Sequence, residues 1–196
     1  MLFRSPKILK ENPGYGEVFE LLGNLGVTHR LYVESVAYYH RALEKNDRLD
    51  DARSSLGINL FRLGKEEEAR KTLEEAYARD KFNVWTVNTL RLMDSYSHFD
   101  SFENDKFKVK LHQKESALLR PYVESILAES LASITKRYNY TPPMKVVFEM
   151  FPDHEDFAVR TLGLPGLGAL GASFGPVVAM DSPSADRKST RLNSSH

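Results

Sequence analysis

The feature that most constrains the fold of this chain is an internal repeat in its first half, with a period of about 34 residues. A window that begins at Asp50 has a Leu-Gly pair at its seventh and eighth positions, and a window that begins at Gly16 has the same pair. Alanine recurs at the twenty-seventh position of both windows, as Ala42 and Ala76. A fixed period of roughly 20 to 50 residues indicates an array of supersecondary units. The sequence therefore predicts two stacked helical hairpins, because two unrelated amphipathic hairpins would not share a period.

The pattern resembles the tetratricopeptide repeat, with units at residues 16–49 and 50–83. In that family, small residues let the two antiparallel helices of each unit approach closely, and large apolar residues fill the space between them. This chain departs from the family pattern at several positions. Gly26 replaces a large residue, Arg53 replaces an aromatic residue, and Asp47 stands where a proline that stops the helix is usual. The resemblance implies α-helical hairpins that recognise a protein.

The same resemblance implies a binding surface. In tetratricopeptide repeats the first helix of each unit lines a concave groove, and five positions of that helix point into it. Here these positions are Glu17, Glu20, Asn24, Val27 and Thr28 in one unit, and Asp51, Ser54, Ile58, Phe61 and Arg62 in the next. The set is acidic at one edge and apolar in its middle, so we expect a protein or peptide partner with a basic and an apolar anchor. The alternative interpretation is an ordinary solvated helix face.

The segments that flank the repeats give further expectations. Residues 1–15 resemble the end of a preceding repeat, or else the edge of a fragment. Apolar residues at helical spacing predict a helix within residues 84–98 that caps the open end of the stack. The last residues, 186–196, read DRKSTRLNSSH and resemble a translated sequencing adapter, so we expect the natural sequence to stop near Ala185. A disordered polar tail is the alternative.

Beyond residue 98 the hydrophobic pattern changes. Phe107, Val109 and Leu111 alternate with lysines, which predicts a strand with one solvated face. The sequence then predicts a long amphipathic helix over 115–138, a more buried strand over 145–151, a short helix after Asp153, a glycine-rich loop and a third strand region over 172–180. Strands that alternate with helices indicate an α+β or α/β domain.

Two short motifs in this half are similar to known signatures but incomplete. The glycines of residues 166–171 fit the spacing GxGxxG. A dinucleotide site needs a strand before these glycines and a helix after them, whereas here the predicted order is reversed. His154 and Glu155 begin like the zinc motif HExxH, but the fifth residue is Ala158 and the second ligand is absent. We therefore predict no catalytic residue, cofactor or metal site in this chain.

Residues 144–185 carry a more specific resemblance. The strand over 144–151, the run PDHEDF, the turn GLPG, the segment GASFG and the segment VAMDSP are together similar to the lead-in of the peptidase MA-like domain. That domain is a gluzincin-type zinc metallopeptidase domain found after tetratricopeptide repeats in large bacterial proteins. In the family, the HExxH helix and a further glutamate ligand follow this lead-in, so the zinc positions of a longer parent protein would lie beyond Ala185.

The resemblance thus implies that residues 99–185 form the N-terminal part of a truncated α+β domain. Truncation would remove contacts from its last strand, and we expect Phe174, Val177, Val178 and Met180 to be left uncovered. For the same reason, the resemblance implies that this chain is inactive as a peptidase and binds no zinc by itself.

Composition excludes several functional classes. The 27 basic and 27 acidic residues balance, so no global field attracts nucleic acid. The chain has no cysteine, which excludes disulfides and thiolate metal sites, and no apolar run approaches the length of a membrane span. Two functions remain: protein recognition within a fragment of a bacterial zinc metallopeptidase, or a non-enzymatic tetratricopeptide adaptor with an accessory α+β domain. An HExxH motif soon after Ser184 in the uninterrupted gene would favour the peptidase.

Overall fold

The computed structural model describes Lys10 and residues 12–185 and divides the chain into two compact units. The first unit extends to Arg91 and is helical, and the second begins at Leu92 and combines helices with a five-stranded sheet. A helical N-terminal half followed by an α+β part is what the sequence predicts. The adapter-like tail over 186–196 and most of segment 1–15 lie outside the described residues. Among the described helices, none is long and apolar enough to span a membrane.

Consecutive helical hairpins form the first unit. Its helices are α1 (Glu17–Thr28), α2 (Tyr32–Lys45), α3 (Asp50–Arg62) and α4 (Glu66–Arg79), followed by α5 (Val84–Ser95). Helix α1 packs on α2, α3 packs on α4, and α2 packs on α3. Both ends of α4 lie one repeat period after the corresponding ends of α2, so the period of the sequence is the period of the structure.

Each hairpin closes at a glycine where its two helices meet. A Cβ on Gly23 would lie 2.6 Å from Cε1 of Tyr39, and a Cβ on Gly57 would lie 2.6 Å from Cγ of Leu73. Both partner side chains are buried. Interiors are close-packed, so neither hairpin has room for a larger residue without a shift of the helices. The two contacts occupy equivalent positions of the repeat.

The turn inside each hairpin also follows the period. Gly64 has a φ of 76°, and Arg30, at the equivalent position of the first hairpin, has a φ of 60°. This left-handed conformation suits glycine, but it disfavours a residue with a Cβ by roughly 1–2 kcal/mol. The second hairpin therefore has the residue that its turn requires, whereas the first tolerates the strain.

A charged cluster holds the turn between α2 and α3. The Arg53 guanidinium donates to the carbonyl oxygen of Asp47 at 2.9 Å and to Glu75 at 3.3 Å. Arg79 donates to the same carbonyl at 2.9 Å and to the Asp47 carboxylate at 2.8 Å. Arg53 and Asp47 are two of the positions that depart from the tetratricopeptide pattern, and here they contact each other.

The second unit is built around one mixed sheet. After a short 3-10 helix (Tyr96–His98) its elements are β1 (Phe99–Glu103), β2 (Phe107–His112), α6 (Gln113–Tyr138), β3 (Val146–Phe151), α7 (His154–Leu162), β4 (Gly171–Phe174) and β5 (Val177–Asp181). The strand order is β1-β2-β3-β5-β4. Strands β2, β3 and β5 are parallel, and the edge strands β1 and β4 run antiparallel to their neighbours. Strand β1 is not among the predicted elements, and the strand region predicted over 172–180 is divided into β4 and β5.

A different helix covers each face of this sheet. Alternate residues of a strand point to opposite faces. On one face Val109, Leu111 and Phe148 form a core with Val123 of α6. On the other face Glu149 and Phe174 contact Arg160 of α7.

Two expectations about this sheet are wrong. Lys110, expected on a solvated face, is only 4% exposed, because α7 covers that face and Glu149 lies opposite Lys110 in the register. Phe174 and Val177, expected to be uncovered, are 4% and 0% exposed. They are covered because residues 171–181 form a β-hairpin whose second strand lies between β3 and β4. Val178 and Met180 pack against the core beneath α6 and are half-buried.

The contact at Gly23 predicts a large effect of a single methyl group. Gly23→Ala should destabilise the first unit by about 1–3 kcal/mol, because the new Cβ overlaps a rigid buried ring. Chemical denaturation followed by circular dichroism measures this loss. Gly168→Ala is the matched control, since no atom lies within 4 Å of its added Cβ. Equal stability of the two variants would contradict the close approach of α1 and α2.

Candidate functional site

The predicted groove residues all lie on α1 and α3, the first helices of the two hairpins. Charge interactions show that several of them are close in space. Glu20 of α1 has its pKa raised, first by burial and then by the negative charges of Asp51 on α3 and Glu17 on α1. The negative charges of these three carboxylates, which belong to α1 and α3, therefore act on one another. We call Glu17, Glu20 and Asp51 the acidic edge.

One oxygen of the acidic edge stands out. The Glu17 carboxylate accepts a hydrogen bond from the Asn46 side chain through Oε1, at 3.4 Å. Its other oxygen, Oε2, is buried and accepts no hydrogen bond within the described part of the chain. A buried carboxylate oxygen that lacks a donor is unfavourable by about 1–3 kcal/mol or more. The acidic edge therefore includes an acceptor that is both enclosed and unsatisfied within the described residues.

Tyr39 of α2 supports the same surface from beneath. Its hydroxyl donates to Oδ1 of Asn24 at 2.7 Å. Burial raises the pKa of Tyr39 to about 12; a hydrogen bond with Ser55 and the positive charge of Arg62 act against the rise, and Glu20 adds to it. The phenol therefore lies among groups of both hairpins. The sequence did not predict this polar role of Tyr39.

Two predicted groove residues are not available to a partner. Phe61 is 2% exposed and Ser54 is 4% exposed. The Ser54 hydroxyl lies 2.7 Å from that of Thr86 on α5, so the helix that follows the second hairpin occupies its position. Val27 and Ile58 are half-buried, while Asn24 and Thr28 are exposed. The accessible apolar area is thus smaller than the sequence predicts.

Arg62 lies on α3 at the far end from Asp51. Its guanidinium donates to Oδ1 of the buried Asn59 at 3.2 Å and lies 5.7 Å from the centre of the Tyr32 ring. These contacts fix the orientation of the arginine while leaving it half-exposed. The surface therefore has a negative end and a positive end, and a bound chain would have a defined direction.

The second unit contains a buried charged triad of Lys110, Glu149 and Arg160. Glu149 lies 3.4 Å from the Lys110 ammonium and 2.5 Å from Nε of Arg160. Burial favours a raised pKa at Glu149, but the charges of Arg160 and Lys110 and hydrogen bonds from Arg160 and Tyr96 lower it overall. The Lys110 ammonium also lies 4.2 Å from the centre of the Tyr96 ring. Glu149 is therefore ionised, and the triad joins β2, β3 and α7.

His154 connects three segments where the parallel strands β3 and β5 end. Its Nδ1 lies 2.7 Å from Oδ2 of Asp181, and its Nε2 lies 2.6 Å from the carbonyl oxygen of Leu167 in the glycine-rich loop. Both neighbours are acceptors, so both ring nitrogens must carry a proton for the two hydrogen bonds to form. The hydrogen bond with Asp181 is the largest cause of a raised pKa at His154; burial opposes it and the Leu167 carbonyl adds to it.

This arrangement ties down a loop and does not form a catalytic relay. A serine nucleophile needs a neighbouring base within hydrogen-bond distance. Here the hydroxyls of Ser182 and Ser184 contact the carboxylate of Glu115, and both nitrogens of His154 are occupied by other acceptors. Gly166 and Gly168 lie in the loop between α7 and β4, and Gly171 begins β4. Asp153 caps α7 by accepting from the Glu155 amide at 3.0 Å.

Within the described residues, Lys10 and 12–185, no group of three or more histidine, cysteine or carboxylate side chains is placed to hold a metal ion. In comparisons with known proteins, no family model matches the chain and no curated protein matches it.

The triad predicts an unequal response to two kinds of substitution. Glu149→Gln should destabilise the second unit by about 3–5 kcal/mol, because it leaves two buried cations without a carboxylate. Replacing the whole triad with Lys110→Met, Glu149→Leu and Arg160→Met should destabilise it much less. Urea denaturation of both variants tests this order. A loss of only about 0–1 kcal/mol for Glu149→Gln, as at an exposed ion pair, would contradict the burial of the triad.

The hydrogen bonds of His154 predict a pH-dependent loop. Because the folded pKa is raised above an unfolded value of about 6.5, the stabilisation is complete below that pH and is lost as the pH rises through the folded pKa. Hydrogen exchange of residues 163–170 should therefore be slow at acidic pH and faster at alkaline pH. His154→Gln should remove this difference, whereas His40→Gln, on the exposed side of α2, should retain it. The exchange rates of this loop are corrected for intrinsic exchange. If the corrected rates in the chain without substitutions do not depend on pH, the proposed role of the His154 hydrogen bonds is contradicted.

Proposed function

We propose that the first unit binds a protein partner through a tetratricopeptide-type surface on α1 and α3, with a basic side chain of the partner at the acidic edge. The observation that carries this proposal is the convergence of Glu17, Glu20 and Asp51 from two hairpins. Like charges held together are unfavourable unless a cation joins them. A lysine or arginine of a partner supplies that charge.

Further features support a peptide as the occupant. Val27 and Ile58 are half-buried and offer an apolar contact between the acidic edge and Arg62. Arg62 is held by Asn59 and Tyr32, so it can pair with a partner carboxylate with little loss of side-chain freedom. The surface thus favours a short segment with a basic residue, then an apolar residue, then an acidic group.

The peptidase-like resemblance of residues 99–185 extends the proposal to the role of this binding in a longer protein. In a longer parent protein, the repeats would bring a protein to a zinc-dependent catalytic domain. The zinc positions that the resemblance implies follow residue 185, so we propose no catalytic role for the residues described here. The adaptor interpretation needs only the first unit, and the uninterrupted gene distinguishes the two.

Charge reversal of the acidic edge should weaken peptide binding. We expect a fluorescein-labelled peptide with an arginine, a leucine and a glutamate in that order to bind this chain without substitutions. Glu20→Lys with Asp51→Lys should lower its affinity at least tenfold, which corresponds to about 1.4 kcal/mol. Fluorescence anisotropy at two salt concentrations measures the change.

Matched controls separate this effect from net charge. Glu34→Lys with Glu67→Lys makes the same change in charge at exposed positions of the second helices and should leave binding intact. A peptide with glutamate in place of arginine should bind weakly to the chain without substitutions. Equal losses in both double variants would show that only net charge matters and would overturn the proposed site. Phe61 is not a suitable probe, because its replacement would remove a buried side chain.

A further inference from the structure

A cleft of about 610 Å³ lies in the second unit, where α6 ends. Its walls are the last turns of α6, the turn between β1 and β2, and residues 141–145, which lead into β3. Clefts that bind small organic ligands have volumes of about 300–1,000 Å³. This cleft is therefore large enough for a small molecule, and neither the acidic edge nor His154 belongs to it.

One wall of the cleft is apolar and stiff. Leu131 and Ala132 of α6 face it, and Pro142, Pro143 and Met144 line the opposite side. The ring of proline restricts rotation about the N–Cα bond, so two consecutive prolines limit the motion of this wall. A wall that is already ordered loses little entropy when a ligand binds. The apolar body of a ligand can therefore pack between α6 and the proline segment.

The rim of the cleft carries an excess of positive charge. Lys106, Lys136 and Lys145 line it, and Asp105 is the only carboxylate among its lining residues. Lys145 forms an ion pair with Glu103 at 3.3 Å. Lys106 and Lys136 have no ion-pair partner among the described residues. Two ammonium groups are thus available beside an apolar wall.

Lys136 lies in the last turn of α6. Cations often lie near the last turn of a helix because its free carbonyl groups carry a partial negative charge. Here the carbonyl of Thr135 already accepts from the backbone amides of Asn139 and Tyr140. Thr135 and Thr141 add hydroxyl groups to the lining of the cleft. These hydroxyls can donate to an anion that the lysines attract.

We propose that this cleft binds a small amphipathic organic anion. Its carboxylate or phosphate head lies between Lys106 and Lys136, and its hydrocarbon body packs against Ala132, Pro142 and Met144. The proposal is independent of the peptide surface on α1 and α3. It concerns binding alone and involves no covalent step.

Methyl-labelled methionine gives a direct readout of this binding. Of the five methionines, Met144 lines the cleft, whereas Met150 and Met180 belong to the core beneath α6 and serve as internal references. Titration with decanoate or decyl phosphate, below the concentration at which either forms micelles, should shift Met144 alone and reach saturation. Comparison of the two compounds distinguishes a carboxylate from a phosphate ligand. Decanol and decyltrimethylammonium should each bind at least tenfold more weakly, and acetate should cause no shift.

Variants locate the two parts of the ligand. Lys106→Glu with Lys136→Glu should weaken decanoate binding at least tenfold. Lys71→Glu with Lys114→Glu, at exposed positions that do not line the cleft, makes the same change in net charge and should leave decanoate binding unchanged. Ala132→Trp, at an exposed helix position, should fill the cleft and abolish the shift while the unfolding transition is retained. The proposal is overturned if decanol binds as tightly as decanoate, if all methionines shift together, or if the control variant loses equal affinity.

Discussion

The ionised carboxylate of Glu149 is the constraint on which the second unit depends. Moving such a group out of water costs several kcal/mol, and only close cations and good hydrogen bonds offset that cost. The cations come from β2 as Lys110 and from α7 as Arg160. Neither element can leave the sheet without exposing an unpaired buried charge. Helix α7 is therefore held on this face by its ion pair with Glu149, whereas α6 on the opposite face is held by apolar contacts around Val123.

The regular parts of the fold could be predicted because they repeat or alternate. The repeat period predicted the two hairpins, and alternation predicted β2. The alternating pattern did not predict that Lys110 is buried. A lysine has the same spacing on a solvated face and on a face that a second helix covers. Its partner Glu149 is 39 residues away, so local pattern could not reveal the pair. The edge strand β1 was missed, and β4 and β5 were predicted as one strand region, because short strands with little alternation depend on their neighbours for pairing.

For the candidate surface, the sequence predicts which face of each helix is involved, but it does not predict how deeply each residue is buried. The repeat frame states which side of a helix a residue faces, and the acidic edge follows from it. Burial also depends on the next helix along the chain. Ser54 is buried against Thr86 of α5, the helix that follows the second hairpin. The hydrogen bond of the Tyr39 hydroxyl was not predicted for a related reason, because its acceptor Asn24 lies on another helix.

The turn between α2 and α3 has a consequence for redesign. Asp47 and Arg53 each differ from the tetratricopeptide pattern, yet the guanidinium of one donates to the carbonyl of the other. Arg79 completes the arrangement from α4. The residues at these two positions therefore depend on each other. Averaging the sequence toward a consensus one residue at a time would remove the charged contact before the replacement contact exists, so any such redesign has to exchange the pair in a single step.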